Sequence, residues 1–147
     1  MTTFGGRSHT TITRVRFGDT DAAGIVFYPT FFVWFELGMQ GLLRAATGAL
    51  CNPDGSPRWP LPIVESGATF AVPLYFDDEI AIRTTVAALG TRSLRLEHVV
   101  SRGEVEVARG FEVRVFIRRE GATIRGEPIP QELRASLTEG DSTEEVA

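Results

Sequence analysis

Residues 28–47, YPTFFVWFELGMQGLLRAAT, limit what this chain can become more than any other stretch. Phe31, Phe32, Phe35, Met39, Leu42, Leu43 and Ala46 recur at three- and four-residue spacing, the period of one helix face. Val33, Trp34 and Leu37 fill much of the other side. Pro29 suits a first helical turn, where its missing N–H costs nothing. Gly48 suits a left-handed stop. A helix that is apolar nearly all round needs other structure wrapped about it, so the rest of the chain must supply that cover.

The flanking sequence has the means. Residues 10–17 alternate, with Ile12, Val15 and Phe17 apolar among polar neighbours, which predicts a first strand. Residues 51–60, CNPDGSPRWP, read as a loop. After it the period switches to two. Strands are expected near 61–65, 68–75, 79–89, 93–101, 104–119 and 122–125. Ile80, Ile82, Thr84 and Val86 share one face, as do Leu94, Leu96, His98 and Val100, and again Val113, Val115 and Ile117. Glycine-containing turns at 89–93 and 101–105 suit hairpins. Pro130 opens a short amphipathic helix. One strand, one long helix and then a meander of strands indicate an α+β class, with an antiparallel sheet around the helix. One sheet layer leaves an edge and an apolar face open, which predicts a dimer or higher oligomer.

Composition narrows the chemistry. At 147 residues the chain fits one domain, assigned to 1–137, with 138–147 read as a disordered acidic tail. That tail holds four of the nineteen acids, leaving fifteen against fifteen arginines. Nucleic acid is therefore not an expected partner. The chain has no lysine, which removes Schiff-base chemistry. Cys51 is the only cysteine, so neither an internal disulfide nor a cysteine-based zinc site is expected. His9 and His98 have no companions at metal-ligand spacing. No membrane span and no secretory leader are visible, and a reducing cytoplasm is the expected location.

The doorway of the helix, RFGDTDAAGIVFYP (16–29), carries two acids, Asp19 and Asp21. One reading makes them capping carboxylates, stabilised by the unsatisfied N–H groups and positive end of the helix. The other makes the helix end an oxyanion site, with an acid beside it as base or nucleophile. Ala22, Ala23 and Gly24 are small and let a ligand approach the backbone.

On Phe17, Asp19, Asp21, Gly24, Tyr28 and Pro29 the stretch resembles the signature of the 4-hydroxybenzoyl-CoA thioesterase family of hot-dog-fold proteins. The likeness continues more weakly to about residue 133. It implies hydrolysis of a coenzyme A thioester with no cofactor and no metal. Asp21 matches the catalytic carboxylate and the Tyr28 backbone N–H matches the donor to the thioester carbonyl. Asp19 matches a loop-tying acid. Sites at subunit interfaces are implied, in a dimer or in a homotetramer built as a dimer of dimers. Glu36 matches a carboxylate that recognises a ring hydroxyl at the far end of the acyl pocket. A surface ion pair with an arginine and a catalytic acid are the other roles open to it. Phe32 and the neighbouring aromatics suit the wall of a pocket for a flat ring. Coenzyme A phosphates call for arginine, and Arg92 is the first candidate, with Arg109 and Arg114 behind it. A hydroxybenzoyl-like acyl group fits best. Short aliphatic or naphthoyl acyl groups, a non-catalytic acyl-CoA-binding module and a dehydratase or hydratase of the same fold are the rivals.

Overall fold

The computed structural model describes residues 4–138, 140 and 142–147. Helix α1 spans Pro29–Thr47 with Tyr28 as its N-cap. Gly48 closes it at φ 87°, where its N–H donates to the Arg44 carbonyl at 2.8 Å. Around α1 lie β1 (Ser8–Arg14), β2 (Ile63–Phe70), β3 (Glu79–Leu89), β4 (Ser93–Arg102) and β5 (Val105–Val115). A two-stranded ribbon of β6 (Ile117–Glu120) and β7 (Thr123–Gly126), helix α2 (Gln131–Thr138) and β8 (Thr143–Val146) complete the order. The main sheet runs β2-β5-β4-β3-β1-β8 and is antiparallel except for the β1–β8 pair. This is the α+β hot-dog arrangement, one antiparallel sheet curved over one long helix.

Several expected boundaries move for local reasons. The first strand stops at Arg14, and Phe17 sits in a 3-10 turn, Phe17–Asp19. The strands read at 61–65 and 68–75 are one strand that ends at Phe70; Leu74 instead accepts from Val26 N–H at 2.9 Å. The long strand read over 104–119 breaks at Phe116, whose N–H turns to the Arg92 carbonyl at 2.8 Å. The supposedly disordered tail carries β8, and Glu139 and Asp141 lie outside the described residues. The edge of β1 explains this strand. His9, buried there, faces the Thr143 hydroxyl and Glu145, and Ala147 N–H donates to the Ile12 carbonyl at 2.8 Å.

The core has two parts. Phe35, Ile82 and Val100 centre one, and Leu42, Leu96 and Leu133 the other. The faces read on β3 and β4 are the buried ones. On β5 the phase is reversed: Glu112 and Arg114 point at the helix, where Val113 and Val115 were expected. Charged side chains can take that face because they neutralise each other, as described below. Coverage of α1 is also partial. Phe31, Trp34, Phe35, Met39, Leu42 and Leu43 are buried, but Val33 on the far side is 66% exposed.

Two glycines let helix and sheet close up. A methyl on Gly110 would overlap the Phe35 ring, and one on Gly38 would overlap the Thr84 hydroxyl. Alanine is the better helix and strand former, so propensity alone favours replacement, but an overpacked core costs more. Gly110→Ala is expected to destabilise by about 1–3 kcal/mol and, at roughly 2–4 °C per kcal/mol for a chain of this size, to lower Tm by several degrees. An unchanged thermal melt would mean that Phe35 has room to move.

Candidate active site

The loop between β1 and α1 is held by its own backbone and by Asp19. Asp19 Oδ2 accepts from Arg16 N–H at 2.8 Å, and its carbonyl accepts from Phe27 N–H at 2.8 Å. Bridges from Thr20 to Val26 and from Ile25 to Tyr75 tie the loop to the end of the sheet. Asp19 therefore does what the resemblance implied for it.

Asp21 lies on the tight turn that this framework presents. Its N–H donates to Ile25 O at 2.9 Å, and Gly24 N–H donates back to Asp21 O at 3.0 Å. Gly24 takes the left-handed conformation, φ 80°, with open space where a side chain would stand. The Asp21 side chain is exposed, and Oδ1 accepts from Ala23 N–H at 2.8 Å. It caps its own turn and does not cap α1, which has no side-chain cap. At the helix entrance Thr30 N–H reaches Phe27 O and Phe31 N–H reaches Tyr28 O. Among the described residues the Tyr28 N–H finds no acceptor. The result is a free donor at the positive end of a helix dipole, on the loop that carries a half-used carboxylate.

Exposed aromatic rings surround this end, among them Phe17, Phe27, Tyr28, Phe70, Tyr75 and Phe76. Phe32 is at the margin of exposure and packs edge-on against Phe35. Glu36 lies eight residues beyond Tyr28, about 12 Å along the axis at 1.5 Å per residue. It borders two cavities. One, about 260 Å³, lies toward the end of β1 with Asp19 and Val33; the other, about 330 Å³, lies toward Cys51 and Trp59. A larger cavity, about 490 Å³, lies elsewhere, over β2, β5 and β4 between Thr69, Arg95 and Phe111, and is lined by none of these residues.

Behind Glu36 is a chain of charges that sequence reading missed. Arg114 Nη2 donates to Glu36 Oε2, its Nε to Glu112 Oε2 at 2.7 Å, and its Nη1 to the Leu61 carbonyl at 2.7 Å. Glu112 and Arg114 are only 1% and 4% exposed. His98 stacks on Phe35 and exchanges a 2.8 Å hydrogen bond with Thr84. Its Nε2 is 3.4 Å from Glu112 Oε1, close enough for attraction but outside hydrogen-bond geometry. Burial pushes the Glu112 carboxyl up, but His98 and Arg114 outweigh it and hold the group below the usual glutamate range. Burial works against the Arg114 guanidinium too, and Glu112 and Glu36 more than offset it. The signal was present in the sequence: Glu112 and Arg114 share the parity of Ala108 and Gly110, the notched side of β5.

The arginines expected at the nucleotide separate. Arg114 is inside the core and cannot meet a phosphate. Arg109 is on the surface, paired with Glu106. Arg92 is exposed in the β3–β4 turn, one length of β3 from the loop of Asp21, roughly 33 Å at 3.3 Å per residue. A single copy of the chain does not bring Arg92 and Asp21 together. No group of three or more potential metal ligands occurs among the described residues, and no helix is long and apolar enough to cross a membrane.

A family model described as the thioesterase-like superfamily matches residues 15–137. The chain belongs to that family. It is 32% identical over 139 residues to a 4-hydroxybenzoyl-CoA thioesterase from Pseudomonas sp. strain CBS-3, covering 84% of this chain and 93% of that protein. Among solved structures, a 4-hydroxybenzoyl-CoA thioesterase mutant with one aspartate changed to asparagine, complexed with 4-hydroxybenzoyl-CoA, superposes at TM-score 0.79 with 28% identity over 88% of this chain and 98% of that one. A gentisyl-coenzyme A thioesterase superposes at 0.72 with 34% identity, over 86% and 98%. The thioesterase-like match ends at residue 137, before β8 begins.

Because Glu112 titrates lower when folded than when unfolded, the stability it contributes is complete above the ordinary glutamate range and is lost as pH falls through its folded value. Urea titrations should show the wild type losing stability steeply below that range, and Glu112→Gln losing less. At neutral pH the same variant should cost about 3–5 kcal/mol, the usual result of breaking one side of a buried ion pair.

Proposed function

We propose that this chain hydrolyses an acyl-CoA thioester whose acyl group is a hydroxylated aromatic ring. The free Tyr28 N–H at the start of α1, on the loop that presents Asp21, carries the reading. The thioester carbonyl accepts from Tyr28 N–H and from the positive end of the helix, and negative charge developing on that oxygen is stabilised there. Asp21 attacks the carbonyl carbon or takes a proton from the water that does. The carbon–sulfur bond breaks, releasing free coenzyme A thiol and, after addition of water, the carboxylic acid. No cofactor is required. Relatives named for 4-hydroxybenzoyl and gentisyl thioesters support the aromatic acyl group. An aspartate-to-asparagine change in the relative that holds its substrate supports an acid in the chemistry.

The acyl ring lies along the open side of α1, beside Gly24 and Phe32, with Glu36 accepting from a ring hydroxyl. The site is completed by a second copy. The aromatic collar, the outer side of α1 and β2 with its exposed Ile63 and Val64 leave apolar area that a monomer would expose to water. Oligomerisation, as a dimer or a dimer of dimers, also lets a different copy supply Arg92 to the coenzyme A phosphates. The cytoplasm suits such a substrate.

Asp21→Asn is expected to lower thiol release from 4-hydroxybenzoyl-CoA by at least about a hundredfold, the usual share of a general base. Tm should stay within a few degrees, because the residue is exposed and makes one turn hydrogen bond. Thiol release at the wild-type rate would overturn the assignment. Tight equilibrium binding of acyl-CoA by the wild type without any thiol release would instead identify a non-catalytic binding module.

A further inference from the structure

Glu36 is the one ionised side chain on an otherwise apolar strip of α1 formed with Phe32, Val33 and Leu37. Its side chain is 42% exposed and borders both cavities flanking the helix. A carboxylate there is not needed to neutralise Arg114, since Glu112 already faces that guanidinium at 2.7 Å. The three side chains together carry one net negative charge. Glu36 is thus a second, partly exposed carboxylate on a guanidinium that the buried Glu112 already neutralises. Among the described residues, Glu36 Oε1 has only a 3.4 Å contact from Gln40 Nε2.

The anchor is rigid where it matters. Arg114 donates in three directions, to Glu112, to the Leu61 carbonyl and to Glu36, and a planar guanidinium fixes those directions relative to one another. Glu112 is itself faced by His98, which Phe35 and Thr84 hold. Glu36 Oε2 is thereby held from inside the core, while Oε1 keeps only the long Gln40 contact on a side chain that borders both cavities.

We propose that Arg114, anchored by Glu112, is a positioning residue that aims Glu36 as an acceptor and so makes the site select acyl groups bearing a hydroxyl donor. This rests on the reading of Glu36 as an acyl contact in a thioesterase. Arg114 touches no substrate; it acts through Glu36. A lysine could keep the charge but would not reproduce the three fixed directions.

The test compares thiol release from 4-hydroxybenzoyl-CoA and benzoyl-CoA by the wild type, Arg114→Lys, Glu112→Gln and Glu36→Gln. The wild type should favour the hydroxylated substrate in kcat/KM by roughly 10- to 100-fold, the value of a hydrogen bond to a charged group. Arg114→Lys and Glu112→Gln should each bring that ratio close to one, chiefly by raising KM for the hydroxylated substrate. A merely structural role would lower both substrates alike and leave the ratio intact. Glu36→Gln should also collapse the ratio, and adding Arg114→Lys to it should change the ratio no further. If Glu36→Gln collapses the preference while both Arg114→Lys and Glu112→Gln preserve it, the positioning role is overturned and the Glu36 contact stands. If Glu36→Gln preserves it as well, the contact itself is wrong. A wild type that turns over neither thioester overturns the proposed activity. Should Arg114→Lys not fold, Glu112→Gln decides between these outcomes.

Discussion

Packing α1 into the curve of the sheet fixes the axis of the helix, and much else follows from that direction. The contact is close because Gly110 and Gly38 leave room for the Phe35 ring and the Thr84 hydroxyl. Buried Phe35 and Leu42 then hold the helix at two points along its length. With the axis held, Tyr28 is fixed as the N-cap of α1, and its N–H has no acceptor among the described residues. A donor at a helix end serves an oxyanion only if it is free and does not wander. Here the packing supplies the rigidity, and Pro29, which has no N–H of its own, leaves Tyr28 as the donor at the entrance.

Charges inside the same contact need a different account. Glu112 and Arg114 occupy the face of β5 that would otherwise be filled by aliphatic groups, and an apolar replacement of such a pair is often no less stable. Stability alone therefore does not explain their presence. They make a difference in direction: an aliphatic core could not hold the Glu36 carboxylate in one orientation. The chain from His98 through Glu112 and Arg114 links the rigid middle of the sheet to the otherwise apolar outer side of α1. Mutual neutralisation lowers the cost of burying the pair, as the opposite displacements of Glu112 and Arg114 from their ordinary titration ranges reflect.

Much of this was legible before any coordinates. The three- and four-residue spacing from Phe31 to Ala46, stopped by Gly48, located α1 to within a residue, because long periodic helices with clear end signals leave few alternatives. The alternation on β3 and β4 identified their buried faces for the same reason. On β5 the rule failed. Val113, Val115 and Ile117 formed the better apolar alternation, yet the pairing of Glu112 with Arg114 and the need for Gly110 beneath Phe35 set the opposite phase. The shared parity of Glu112 and Arg114 with Ala108 and Gly110 hinted at this phase, but what decides it is α1 lying over β5, which a one-dimensional pattern does not show. The same blindness placed Arg114 among possible phosphate ligands. β8 escaped because its composition is polar and acidic; it is held by the edge of β1 and by buried His9, partners distant in sequence. The doorway motif was readable in its residue types, while the hydrogen bonds that tie Asp19 to Arg16 and Asp21 to its own turn were not.

The open surfaces follow from the same geometry. A single sheet can cover one side of a helix, so a helix that is apolar nearly all round leaves an apolar remainder in any one chain. On the opposite edge from β8, the outer side of β2 has no neighbouring strand among the described residues, and β2 exposes Ile63 and Val64. These features do not conflict with the proposed chemistry; they place limits on it. Asp21 and the Tyr28 N–H belong to one end of the sheet and Arg92 to the other, so an extended ligand held by all three has to span more than one copy. Under the proposed function, the positions that a soluble monomer would fill with charge are the ones offered to a second chain and to the acyl group. Glu36 is the exception on that strip, and its tether to Arg114 is what lets a carboxylate remain there.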